Sequence, residues 1–171
     1  MNIKFFSLIT LLILCFSCKK NQENNTSTPI EKKQDISKSD ISDLDYIEYT
    51  LDEKTQTSIE NWQGYNEIND VVTNVKSGDL SFFKDNDKVI KTLFKNFKEK
   101  IPTTIKSPSI TARMTVLETK FYKLKSLSNL STTTKAELNA VIKEFLVSFS
   151  YLNLQMNKKL ENESQNTKKP Q

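Results

Sequence analysis

The chain has no histidine, two glycines, two cysteines and, at Arg113, one arginine among its 171 residues. Without imidazole there is no Ser-His-Asp or Cys-His couple, no His-ligated zinc or haem and no histidine pH switch. Two glycines cannot build a Gly-rich phosphate loop or a dinucleotide-binding turn. A formal charge of +4 carried almost wholly by Lys is too mild and too poor in bidentate donors for nucleic-acid recognition. No cofactor motif is present, and none is expected. Hydrophobic residues make up 36%, enough for one domain of ordinary size.

What is present begins at the N-terminus. Met1-Asn2-Ile3-Lys4 is a short positive region, and Phe5 to Phe16 is apolar apart from Ser7 and Thr10. A bilayer span needs about 20 apolar residues, and this run reaches Lys19-Lys20 first, so it reads as an export signal. The run closes on Leu14-Cys15-Phe16-Ser17-Cys18, with a small residue directly before a cysteine and polar chain directly after it.

This pattern resembles the lipobox of bacterial lipoproteins, in the looser Bacteroidetes-type form. The resemblance covers residues 1–18 only. It implies removal of residues 1–17 as a signal peptide and acylation of Cys18 by diacylglyceryl and palmitate-type chains. At about 0.8 kcal/mol per buried methylene, two or three such chains anchor a protein durably in a membrane. Lys19 stands where the inner-membrane retention signal has Asp, which implies the outer membrane, and the lack of an acidic run after Cys18 favours a periplasm-facing orientation. With Cys15 removed and Cys18 acylated, no thiol remains for a disulfide, a metal or nucleophilic catalysis.

The remainder divides by composition. Residues 18–40 carry only Ile30 and Ile36 as large aliphatics and read as a disordered, lipid-anchored tether. Some 20 flexible residues reach roughly 25 Å. Residues 161–171 read as a disordered tail, and 41–160 as the folded domain. Within it, helical spacing recurs: Ile90, Phe94, Phe97 and Ile101; Ile110, Met114, Leu117, Phe121 and Leu124; Leu138, Ile142, Phe145, Phe149, Leu152 and Met156. Ser107-Pro108 and Thr134 with Glu137 have helix-start spacing, while Pro102 and Ser77-Gly78-Asp79 mark helix ends. Leu44, Ile47, Leu51 and Trp62 fall on one helical face, and Tyr65, Ile68, Val72 and Val75 on another. The phase break at Gln63-Gly64 predicts a first helix kinked near Gly64, or two helices meeting there. The predicted fold is all-α, an antiparallel up-and-down bundle of about four helices.

Candidate sites are few. Asp79, Asp85 and Asp87 lack the turn glycine and distal glutamate of a calcium loop and read as helix-capping groups. Arg113 beside the Ile110–Leu124 seam reads either as a buried ion pair, with Glu60 or Glu67, or as a side chain snorkelling at the rim. Lys84, Lys88, Lys91, Lys95 and Lys98 share one helical face. That is either a solvated face or a ridge for anionic lipid or an acidic partner. Ala140, Val147, Tyr151 and Leu154 form a second apolar line on the last helix. It is either covered by the first segment or by 80–84, or exposed for a partner or self-association. No residue set supports catalysis. The function read from the sequence is that of an exported, lipid-anchored envelope module that binds another envelope protein; the alternative is a small-ligand carrier or small enzyme with a pocket inside the bundle.

Overall fold

The apolar stripes read from the sequence become helices, each with its stripe turned inward. The computed structural model describes residues 35–166, which belong to one of two units of the chain, residues 32–171. Cys18, the lipobox and most of the expected tether lie outside the described residues. Among the described residues there are six α-helices packed together and no strand. They are α1 (Lys38–Ser42), α2 (Glu53–Ile59), α3 (Gln63–Lys76), α4 (Asp87–Glu99), α5 (Pro108–Ser128) and α6 (Lys135–Asn166), with one 3-10 turn at Ser81–Phe83.

Local chemistry fixes the helix ends. The Ser107 hydroxyl accepts from the Ile110 amide at 3.3 Å, and Pro108 opens α5 where a missing N–H costs nothing. At α6 the Thr134 hydroxyl accepts from the Glu137 amide at 3.2 Å, and the Thr134 amide donates to the Glu137 carboxylate at 2.8 Å. Gly78, at φ +88°, closes α3: its amide reaches the Val75 carbonyl and the Asp79 amide reaches that of Asn74, both at 2.9 Å. A side chain at Gly78 would place Cβ 2.7 Å from the Ile36 carbonyl oxygen, so the turn also seats the N-terminal segment.

Core packing follows the three stripes. Ile90, Phe94 and Phe97 on α4, Ile110 to Leu124 on α5 and Leu138 to Met156 on α6 are all buried, and Ile101 is half-buried. Phe121 lies at the middle, with ring centroids 4.9 Å from Phe83, 4.9 Å from Phe94 and 5.7 Å from Phe145. Such aromatic pairs add about 1 kcal/mol each beyond the area they bury. Pairs descend one helix as they climb the next. Lys98 meets Glu118 and Asp87 meets Lys125 between α4 and α5, while Arg113 meets Tyr151 and Lys123 meets Glu144 between α5 and α6.

The first segment differs from the expectation. Residues 44–52 are not helical but form an extended strap, and Ile47, assigned to a helical seam, is 68% exposed. The break between α2 and α3 lies at residues 60–62, leaving two separate helices. Gly64 sits inside the first turn of α3, where its role is close approach: an added Cβ would stand 2.6 Å from the Phe97 Cα and 2.7 Å from its nitrogen. Trp62 seals that crossing, its ring stacked on Phe97 at 4.8 Å and its Nε1–H donating to the Phe97 carbonyl at 3.1 Å.

Order also extends beyond both compositional boundaries. Ile36 and Ile41 are buried, and Ser37 with Asp40 forms a capping box at α1. Sparse apolar residues proved sufficient there because a cap and Gly78 hold the turn. At the other end, α6 continues to Asn166, six residues into the segment assigned to the tail.

Candidate functional site

Two helical surfaces among the described residues differ in whether the chain itself covers them: one, along α6, carries the 44–52 strap, and the other is open. The strap at 44–52 lies along α6, held by three polar side chains spaced three and four residues apart. The Tyr49 amide donates to the Ser150 hydroxyl at 2.7 Å, and that hydroxyl donates to the Ile47 carbonyl at 2.9 Å. Asn153 Nδ2 donates to the Tyr49 carbonyl at 3.1 Å, while its Oδ1 accepts from the Tyr65 hydroxyl at 2.9 Å. Asn157 donates to the Thr50 carbonyl at 2.8 Å and accepts from the Asp52 amide at 3.1 Å. Each helical side chain thus satisfies backbone that no sheet or helix serves. Burial pushes the Tyr65 phenol above its ordinary pKa and keeps it a neutral donor to Asn153.

The second groove, between α3 and α4, is open. It has a volume of about 560 Å³. Its floor is Val71, Leu93, Phe82 and Val89, the last of these 53% exposed. Glu67, Asp70 and Asn74 form the α3 wall, and Lys88, Thr92 and Asn96 the α4 wall. Of these residues the sequence singled out only Lys88 as a binding group, within the lysine ridge; Glu67 was named only as a partner for Arg113. The close crossing at Gly64 and Phe97 brings the two helices together beside this groove.

The residues expected to matter are placed as follows. Lys84, Lys88, Lys91, Lys95 and Lys98 are all exposed, Lys98 paired with Glu118 and Lys88 at the groove wall. Arg113 makes no ion pair among the described residues, with Glu60, Glu67 or any other acid. It is exposed, with its guanidinium 5.5 Å over the Tyr151 ring. The wheel position that put it beside the seam also turns its long side chain outward. Tyr151 packs on Tyr49 as well, at 5.9 Å. Val147 and Leu154 are half-buried and Ala140 exposed, so the second apolar line of α6 is flanked rather than covered.

Of the acids read as caps, Asp85 is not one: it sits at φ +51° before α4, whose N-cap Asn86 makes no side-chain cap bond, while Asp79 accepts from an amide and Asp87 pairs. Asp79 accepts from the Ser81 amide at 2.8 Å, which holds its carboxyl below the ordinary value. Asp87 lies in the first turn of α4 and pairs with Lys125 at 2.7 Å. Glu144 is lowered by Lys120 and then Lys123, both at 2.8 Å. Among the described residues no group of three or more Cys, Asp or Glu side chains is placed to hold a metal ion. No described helix is long and apolar enough to cross a membrane. No family model, curated protein or solved structure matches the chain.

Proposed function

We propose that the protein is exported, acylated at Cys18 and held at the outer membrane of a bacterial cell, where its helical domain binds another envelope protein on the periplasmic side. Two features support this reading. The lipobox supplies the anchor, and the open α3–α4 groove supplies a surface. The groove is the observation that favours a macromolecular partner: small ligands are held in concave sites that bury about 70–90% of them, and this site lies open to water. In this reading α3 to α6 form an antiparallel up-and-down bundle, a rigid frame for the groove. The residue pairs that run in opposite senses along α4, α5 and α6 support that topology.

The anchor is tested by labelling cells with a palmitate analogue. Wild-type protein takes up label and partitions into membranes, whereas Cys18→Ser takes up none and is unprocessed or soluble. Equal labelling of the two, or protein retaining Met1–Ser17 regardless of a signal-peptidase inhibitor, overturns the anchor. Partner binding is tested by crosslinking the native protein in membranes, and recovery of the monomer alone overturns it.

A further inference from the structure

We infer that the α3–α4 groove is the docking site for one amphipathic helix of a partner protein, with basic residues along the flank facing Glu67 and Asp70 and acidic residues along the flank facing Lys88. The inference rests on the binding role proposed above and names the chemistry of the partner.

The spacing of the walls selects a helix. Glu67, Asp70, Val71 and Asn74 stand at i, i+3, i+4 and i+7 on α3, and Val89, Thr92, Leu93 and Asn96 repeat that spacing on α4. Two helices that each turn such a face into a common groove offer a seat for a third, as in helix-in-groove recognition. Seven residues of helix advance about 10 Å, so the seat accepts roughly two turns. Its floor is apolar where the occupant's stripe would lie, and Val89 is the exposed apolar group that such a stripe would cover.

The charges argue for side chains rather than backbone as the recognised groups. Where this chain seats extended backbone, against α6, it uses the neutral groups of Ser150, Asn153 and Asn157. The open groove instead sets carboxylates on one wall and an ammonium on the other, and the Thr92 hydroxyl is already donated to the Lys88 carbonyl at 3.0 Å. Walls of opposite sign fit an occupant whose flanks are of opposite sign, and they set the direction in which it lies.

The test uses the full acylated chain in detergent and fluorescent peptides of about 16 residues. One has Leu at i, i+3, i+4 and i+7 with Lys on one flank and Glu on the other; companions carry Glu on both flanks, a scrambled order, or a central proline. The mixed-flank peptide binds, and the scrambled and proline peptides bind at least tenfold more weakly. Val89→Asp weakens binding at least tenfold with no change in helical signal. The double variant Glu67→Lys with Asp70→Lys loses the mixed peptide at least tenfold and gains the all-acidic one. Equal binding of the scrambled or proline peptide, or a charge preference unmoved by the double variant, overturns the inference. Membrane crosslinks to a partner that persist undiminished in Val89→Asp also overturn it, while leaving the anchored binding module standing; a wild-type protein that yields no crosslink overturns the module instead.

Discussion

Two regions among the described residues, the strap along α6 and the open α3–α4 groove, use the same kind of helical surface to opposite ends. Along α6 the chain lays its own strap and meets backbone groups of Ile47, Tyr49, Thr50 and Asp52 with Ser150, Asn153 and Asn157. Between α3 and α4 it leaves the surface open and lines it with charge. A groove completed from within is read by neutral groups that reach amides and carbonyls, and its polar atoms are a stability matter. A groove left open carries exposed polar groups such as Asp70 and Lys88 that water reaches, so these residues, unlike the buried Val71 and Leu93 beneath them, are nearly free to change without unfolding the protein. Substitutions therefore separate the two regions by what they disturb.

The largest effect belongs to the contact that closes α3 against α4. Gly64→Val drives carbon into the Phe97 backbone, which a flexible neighbour cannot relieve. The expected loss is about 3 kcal/mol, roughly 10 °C in the thermal midpoint followed by circular dichroism. Asn153→Ala comes next. It strands the buried Tyr65 hydroxyl and frees the Tyr49 carbonyl, at a cost of about 2 kcal/mol. Amide exchange in the strap rises with it; a strap that stays protected would show that Asn153 does not hold it.

A smaller effect is set by acid. Lys135 and the Ser37 hydroxyl and amide hold the Asp40 carboxyl down to about 2, below its ordinary 3.8. A depressed carboxylate contributes stability that is complete above its unfolded pKa and is lost as pH falls through the folded one, so the thermal midpoint declines between about pH 4 and pH 2. Asp40→Asn flattens part of that decline. The smallest change is predicted for Asp70→Ala in the open groove, within about 0.5 kcal/mol of wild type. A larger loss there would mean that the groove belongs to the stability of the fold after all.

The same contrast explains what was legible in the sequence. The seams from Ile90, Ile110 and Leu138 were readable because each is a local pattern whose meaning does not depend on a partner. The capping residues Ser107, Thr134 and Glu137 were readable for the same reason. The strap was not, because Leu44, Ile47 and Leu51 mimic helical spacing while the groups that hold 47–52 extended lie about a hundred residues away. Gly64 was noticed for its poor helix propensity, yet its use is the approach of a second helix, which no single stretch of sequence contains. The open groove was invisible for that reason too: Asp70 and Lys88 become walls of one site only when α3 and α4 are set side by side.

The order of the strap contacts also has a mechanical meaning. Residues 47–49 are tied to Ser150, 49 to Asn153, 50 and 52 to Asn157, and Lys54 to the Leu160 carbonyl at 3.0 Å, so strap and helix run in the same direction. For tension that enters through the N-terminal end of the strap and leaves through the C-terminal end of α6, such a parallel pairing is a shear geometry, in which the ties load together rather than one after another. The strap then acts as a clamp on α6.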